Sequence, residues 1–174
     1  MNAEKLILLD ADVVIHFTNA NELALLTGFF KGRLLIHQAV IEELIVHKNS
    51  YIAVTNLLLF KQIQEYVIPS HLRSHVLKEY ARIKREGADS GEAMCMAIAR
   101  LDDKIIASSN TRDITAYCRE YQIEYMGTLD ILYKIYQSGQ IDEAKFDYII
   151  YKAEISSNLS SKTLEQYKRK NNLI

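Results

Sequence analysis

Short apolar runs alternate along this chain with longer segments of mixed polarity. The runs are typical of strands buried on both faces, and they occupy residues 6–10, 33–37, 104–109 and 123–128, with a brief extended piece at 66–69. The spacing between them predicts helices over 19–30, 38–49, 51–64, 70–103, 111–122, 129–139, 141–154 and 160–170, the fourth of these divided at Gly87.

Strands separated by helix-length segments indicate parallel strands with crossover helices on both faces. We therefore predict an α/β fold, a three-layer α/β/α sandwich around a central parallel sheet. A chain of 174 residues that is 49% apolar is long enough for one compact domain. We expect this domain to span 1–137, with a C-terminal helical extension, 138–174, packed on it.

Composition narrows the class of protein without naming a partner. The 21 basic and 22 acidic residues balance, so any nucleic-acid surface must be a local patch. Two cysteines, Cys95 and Cys118, are too few for a disulfide framework. We expect Cys95 to be a core residue and Cys118 to be partly buried, and neither to be a nucleophile. No signal peptide or membrane-length apolar run is seen, so a cytoplasmic protein is expected.

Polar residues follow two of the predicted strands. Asp10 and Asp12 end the first, and Ser108, Ser109 and Asn110 end the strand 104–109, with Asp113 soon after. Because sites in parallel sheets form outside the carboxyl ends of the strands, we expect these residues to share one edge.

Two helices add acids near their starts. Glu42 and Glu43 lie about 100° apart on a helix, so only one can face a given site, and we favour Glu43. Asp89 and Glu92 share a helix face. Asp89 can serve as a helix cap while Glu92 points inward.

Converging carboxylates repel one another unless a cation lies among them. Mg²⁺ and Mn²⁺ prefer carboxylate and water oxygens, so the pattern predicts a site for one of these ions. Each acid alone has an ordinary structural explanation, and Asp12 could simply cap the first helix.

The ordered motifs are similar to those of PIN-domain nucleases, in particular the VapC-like ribonucleases. The relevant segments are "LLDAD" with Asp10, "AVIEEL" with Glu43, "GEAMCMAIA" with Glu92, "IIASSNTRDI" with Asn110 and Asp113, and "MGTLDIL". The "GEAMCMAIA" segment resembles the "GEAEAIALA" helix of one subgroup. Together the motifs span residues 5–135 in the family's order.

The resemblance implies a metal-dependent endoribonuclease. Asp10, Glu43, Glu92 and Asp113 would hold one or two Mg²⁺ or Mn²⁺ ions, and Ser108 and Asn110 would orient the water or a phosphate oxygen. It also implies an RNA substrate, an antitoxin protein as partner and a homodimer. Two positions depart from the family: Ser108 replaces the usual Thr, and Asn110 is neutral where many members have Asp.

A nuclease needs cations around its acidic site. The candidates for RNA binding are basic residues of the segment that precedes the Glu92 helix, together with one arginine that follows Asn110. They are Arg73, Lys78, Arg82, Lys84, Arg85 and Arg112. An ordinary solvated helix face is the alternative explanation.

Three other interpretations stay open. A PIN-like domain that only binds RNA or a protein is favoured by the neutral Asn110. A haloacid-dehalogenase-type phosphatase also begins with Asp-x-Asp after a strand, but its later motifs do not occur here in the required order. His71 and His75 have the spacing of a zinc pair, with no third ligand evident nearby.

Overall fold

Five short parallel strands lie at the centre of the computed structural model, which describes residues 4–156 and Arg169, without the side chains of 111–113 and 154–156. They are β1 (Ile7–Leu9), β2 (Leu34–Ile36), β3 (Gln64–Glu65), β4 (Ile105–Ala107) and β5 (Tyr125–Met126). Their order in the sheet is β3-β2-β1-β4-β5, and every neighbouring pair is parallel.

The helices fill the intervals between strands. They are α1 (Ala11–Asn19), α2 (Leu23–Phe29), α3 (Gln38–Glu43), α4 (Lys48–Leu59), α5 (Arg73–Arg85), α6 (Ser90–Asp102), α7 (Thr111–Tyr121), α8 (Thr128–Gln137) and α9 (Glu143–Ser156), with a 3₁₀ turn at Leu44–Val46. Helices α5, α6 and α7 pack together on one face, and α1, α4, α8 and α9 cover the other. The predicted three-layer fold is confirmed.

Burial explains why the middle of the sheet is so apolar. The three residues of β1 are at most 1% exposed, because strands and helices cover them on all sides. Helix α6 is equally enclosed, since every residue from Gly91 to Ala99 is buried. Small side chains such as Ala93 and Ala97 let this helix lie close to β1 and β4.

The chain reverses its direction of travel across the sheet between β1 and β4. From β1 it moves outward to β2 and β3, and then it crosses back to β4 and continues to β5. The register pairs Leu9 with Ala107, so the next residues, Asp10 and Ser108, leave the sheet side by side. Such a switch point is where open α/β sheets place their sites.

Several predicted bounds of helices and strands are wrong between residues 10 and 69. Asp10 is the N-cap of α1, so a helix begins directly after β1, and Asp12 lies in its first turn rather than capping it. The next helix is α2, which starts after Glu22 instead of at Asn19 or Asn21. The extended piece expected at 66–69 is displaced, because β3 consists of Gln64 and Glu65.

The hairpin of α5 and α6 agrees with the prediction of a break at Gly87. This residue has φ +104°, a conformation that side chains other than glycine rarely adopt. The two helices therefore run antiparallel, and the C-terminus of α5 lies beside the N-terminus of α6.

Helix α9 packs against α1 and α8 and buries Phe146, Ile149 and Ile150. The helix predicted over 160–170 lies outside the described residues, apart from Arg169. Within the described part of the chain, no helix is long and apolar enough to cross a membrane.

Candidate functional site

Asp10 occupies the junction of β1, β4 and α1. Its main-chain N–H donates to the carbonyl oxygen of Ala107 (2.9 Å), and its Oδ1 accepts the N–H of Ala11 (2.8 Å). The residue is only 5% exposed. A strand end and a helix start thus fix this carboxylate at the switch point.

Burial raises the pKa of Asp10 well above its usual range, and the negative charges of Asp12 and Glu92 raise it further. Hydrogen bonds from Ser108 and Ala11 act in the opposite direction without cancelling the effect. Glu92 lies in the first turn of α6 and is 4% exposed. Two buried acids therefore lie close enough for the charge of Glu92 to act on Asp10.

Asp12 links α1 to the turn that follows β4. Its Oδ1 accepts the N–H of Val13 (2.6 Å), and its Oδ2 accepts the N–H of Ser109 (2.7 Å). Burial raises the pKa of Asp12 to about 6, although hydrogen bonds from Ser109 and Val13 favour the charged form. Both oxygens thus bind main-chain N–H groups.

Glu43 reaches from the end of α3 to the start of α6. Its Oε1 accepts the N–H of Gly91 (2.6 Å), whereas Asp89, at the N-cap position of α6, makes no side-chain cap hydrogen bond. A Cβ atom on Gly91 would overlap the other oxygen of Glu43. Glu42 is exposed and accepts a hydrogen bond from Gln38 (3.2 Å).

The thiol of Cys95 is affected by the charges of several of these carboxylates. Cys95 is fully buried, as expected for a core residue, and its Sγ donates to the carbonyl oxygen of Leu9 (3.8 Å). Burial raises the pKa of this thiol, and so do the negative charges of four acids, namely Asp10, Glu43, Asp12 and Glu92. These acids come from α1, α3 and α6, so the fold gathers them from distant parts of the sequence.

The turn after β4 completes the arrangement. Ser108 is fully buried, and its Oγ accepts the N–H of Asn110 (3.2 Å). Asn110 precedes α7 without capping it through its side chain. The backbone of residues 112 and 113 lies in the first turn of α7, and the side chains of Arg112 and Asp113 are outside the described ones.

The donors at this edge are all oxygen atoms, which suits a hard cation such as Mg²⁺ or Mn²⁺. Among the described side chains, no three from His, Cys, Asp and Glu form a group that could hold a metal ion. Mg²⁺ commonly takes only one or two carboxylates and keeps several waters. Asp10 and Glu92, buried and mutually repelling, fit that requirement.

The basic residues of α5 are less available than the sequence suggested. Arg82 donates to Glu79 (2.7 Å) and to Glu86 (2.6 Å), so two carboxylates neutralise it. Arg73 begins α5, roughly 18 Å from the end of the helix that lies beside α6. Lys84 and Arg85 lie at that nearer end, where Lys84 donates to the carbonyl oxygen of Ala88 (2.8 Å).

Two residues near the site, Thr128 and His16, were missed in the sequence, and both connect to Ser109. Ser109 accepts the N–H of Thr128 through its Oγ (3.0 Å), and its hydroxyl also bonds to the hydroxyl of Thr128 (2.7 Å). The Thr128 hydroxyl in turn bonds to Nδ1 of His16 (2.7 Å). Thr128 could have been identified from its position just after the last strand. His16 lies in an apolar run, and no feature of the sequence indicates its role.

A cavity of about 650 Å³ opens at the other edge of the sheet, near Ile105 and Tyr125 at the starts of β4 and β5. Phe29, Phe30 and Arg33 line part of it. It contains none of the acids described above, so we place the candidate chemistry at the carboxyl edge instead.

A family model described as PIN domain matches residues 6–166 of this chain. Among solved structures, the chain is similar to the DNA-bound VapBC of Salmonella typhimurium, with a TM-score of 0.54 and 15% sequence identity. The alignment covers 72% of this chain and 99% of that one. No curated protein matches by sequence. At this identity, the structural likeness concerns the fold alone.

Proposed function

Because the chain belongs to the PIN-domain family, we propose that it is a metal-dependent endoribonuclease that hydrolyses RNA phosphodiester bonds. The observation that carries the proposal is the buried pair of Asp10 and Glu92 at the switch point of the sheet. Burial and the negative charges of Asp12 and Glu92 raise the pKa of Asp10, so a bound cation would relieve an unfavourable interaction. Strongly shifted pKa values are concentrated at functional sites.

In this proposal Asp10 and Glu92 hold Mg²⁺ or Mn²⁺ directly, with Glu43 and Asp113 completing the acidic set. When bound, such an ion lowers the pKa of a water ligand and neutralises charge that develops on the phosphate. Ser108 and Asn110 orient the water or a phosphate oxygen from the turn after β4. Glu43 also fixes the start of α6 through Gly91, and Asp12 holds the turn in place.

The RNA would approach the carboxyl edge of the sheet. Lys84 and Arg85 at the end of α5, together with Arg112, are the candidate cations nearest to that edge. Lys78 and Arg73 lie progressively farther along α5 and would contact only a longer strand. Arg82 supports α5 through its two glutamates, so we assign it a structural role.

We also propose a protein partner of the antitoxin kind, because the similar solved structure is a VapBC complex bound to DNA. In that case the chain would act as the toxin of a pair. The homodimer and the cytoplasmic location expected from the sequence stay predictions. Light scattering on the purified chain would test the first, and fractionation of cells would test the second.

A non-catalytic member of the family is the second candidate. It is favoured by the neutral Asn110 and by the hydrogen bonds that engage Asp12 and Glu43 with main-chain N–H groups. Family membership replaces the phosphatase hypothesis, whose later motifs the chain lacks.

Cleavage of a mixed RNA substrate with Mg²⁺ or Mn²⁺ tests the proposal. We expect Asp10→Asn and Glu92→Gln each to reduce metal-dependent cleavage by at least about 100-fold. Glu42→Gln is the matched control, because Glu42 is exposed on the same helix as Glu43, and it should retain activity. If the wild type cleaves no RNA with either metal, and Asp10→Asn leaves its metal affinity unchanged, the non-catalytic reading takes over.

A further inference from the structure

A chain of polar groups, buried at His16 and Thr128 and half-buried at Ser109, runs from α1 to the turn after β4. It begins at Nδ1 of His16, passes through the hydroxyl of Thr128 (2.7 Å) and ends at the hydroxyl of Ser109 (2.7 Å). His16 is 3% exposed and Thr128 is 2% exposed. Buried polar groups are costly unless they are paired, so a complete chain of this kind fixes the elements that carry it.

The ring of His16 is held neutral. Burial lowers the pKa of His16 to about 4, so near pH 7 the ring carries a single N–H. Either tautomer completes the chain, because the two hydroxyls can reverse their donor and acceptor roles together. The Thr128 N–H adds a further bond to Ser109 Oγ (3.0 Å), and this bond fixes the hydroxyl at the start of α8.

Helix α1 thus holds Ser109 at two points. Asp12 accepts its main-chain N–H (2.7 Å), and His16 holds its hydroxyl through Thr128. Asp12 and His16 are four residues apart, so they lie on the same face of the helix. The neighbours of Ser109 are Ser108 and Asn110, the two residues that would orient water or phosphate.

We propose that His16 is a positioning residue, which acts through Thr128 and Ser109 to set the orientation of the turn 108–110 at the active site. The inference rests on the proposed function, since that turn matters only if the carboxyl edge binds metal and RNA. The effect passes from His16 through the hydroxyls of Thr128 and Ser109.

The test compares His16→Leu with His16→Asn. Asparagine places a polar atom near the position of Nδ1, whereas leucine fills the space without any hydrogen bond. We expect His16→Leu to lower kcat by about 10-fold with little change in KM, because the turn that orients the water or a phosphate oxygen loses its support. His16→Asn should recover most of that loss.

A core variant separates positioning from loss of stability. Val14→Ala lies on the same helix at a fully buried position, and it should lower Tm without a comparable fall in kcat. Thr128→Val removes the middle hydroxyl. Combined with His16→Leu, it should cost no more than the worse single change, because both interrupt the same chain.

Two measurements do not depend on cleavage. The ¹H–¹⁵N resonances of the Ser109 and Asn110 amides should shift in His16→Leu and return in His16→Asn. Mn²⁺ should bind about 10-fold more weakly to the leucine variant, because Ser108 in this turn donates a hydrogen bond to the proposed ligand Asp10. Unchanged resonances in His16→Leu would overturn the inference. A kcat loss in His16→Leu that is no larger than the kcat loss in Val14→Ala, with both variants at the same Tm, would also overturn it. If the wild type neither binds Mn²⁺ nor cleaves RNA, the proposed nuclease function fails, and the resonances alone then decide whether His16 positions the turn.

Discussion

Gly91 leaves room for the carboxylate of Glu43 at the start of α6. A Cβ at this position would meet both Glu43 and Val40, so Gly91→Ala must displace the carboxylate and break its bond to the Gly91 N–H. We expect a loss of about 1–3 kcal/mol in the free energy of unfolding, the usual cost of overpacking. Urea titration followed by circular dichroism measures it.

Gly28→Ala is the matched control for that change. Gly28 also lies within a helix, but a Cβ there meets no atom within 4 Å. Alanine should therefore leave stability unchanged or raise it by about 0.5–1 kcal/mol. If Gly91→Ala behaved in the same way as Gly28→Ala, the tight contact with Glu43 would be wrong.

Asp10 should weaken the metal-free fold. Its pKa is raised, so the fold disfavours ionisation of this carboxyl, and the free energy of unfolding is lowered at pH values above the ordinary carboxyl pKa. Asp10→Asn keeps an Oδ1 acceptor for the Ala11 N–H and removes the charge. In EDTA at pH 7.5, this variant should gain stability on the order of 1 kcal/mol. A loss of stability on urea unfolding would contradict the assigned repulsion.

At the scale of helices, Glu79 ties α5 to α6 and α7. Its Oε1 accepts hydrogen bonds from Arg82 (2.7 Å), Arg100 (2.6 Å) and the Tyr117 hydroxyl (2.8 Å). The hydrogen bond from Arg82 contributes most to lowering the pKa of Glu79 to about 2, helped by Tyr117 and Arg100. Because the lowered pKa lies below that of the unfolded chain, the carboxylate stabilises the fold above pH 4.5, and this contribution declines as the pH falls towards 2.

Glu79→Gln should therefore lower the free energy of unfolding at pH 7 by about 1–2 kcal/mol, after allowance for solvent around Arg82. The difference from wild type should shrink between pH 4.5 and 2, which urea unfolding at several pH values would measure. Glu86→Gln is the control, because Glu86 is 60% exposed in its pair with Arg82, and its loss should cost less than about 0.5 kcal/mol. A pH-independent effect of Glu79→Gln would contradict this account.

Some strands and helices can be predicted from the sequence and others cannot. The core strands are wholly apolar, so β1, β2 and β4 were found, whereas β3 consists of two exposed polar residues, Gln64 and Glu65, and shows no pattern. Helix α1 was missed because its buried residues continue the apolar run of β1 without interruption. Its signal was Asp10 as a cap with apolar residues at Val13, Val14 and Phe17.

The candidate site was only partly predictable for a related reason. The ends of the predicted strands indicated that Asp10 and Ser108 would lie close together, because the carboxyl ends of parallel strands meet at the same edge of the sheet. The partners of Asp12 and Glu43 are main-chain N–H groups of Ser109 and Gly91. Such partners depend on how distant turns pack, and side-chain identity does not encode them. For the same reason, nothing in the apolar surroundings of His16 indicated Thr128.

For the molecule as a whole, metal binding should couple to stability. A ligand that binds only the folded chain stabilises it by about 2.7 kcal/mol at 100 times its Kd. We therefore expect Mn²⁺ to raise the Tm of the wild type and to leave that of Asp10→Asn nearly unchanged. Differential scanning calorimetry with and without EDTA measures the effect. An equal rise in both proteins would place the ion elsewhere.

The pairing of β1 with β4 also sets an order of events during translation. Ile7 pairs with Ile105, so the first strand leaves the ribosome long before its neighbour is made. At about 5–20 residues per second, roughly one hundred residues take on the order of 5–20 s. During that interval one edge of β1 has no partner, and the carboxylates of α1 and α6 cannot yet act together. A nascent chain stalled before β4 should therefore bind no Mn²⁺, because the proposed metal site is complete only late in synthesis.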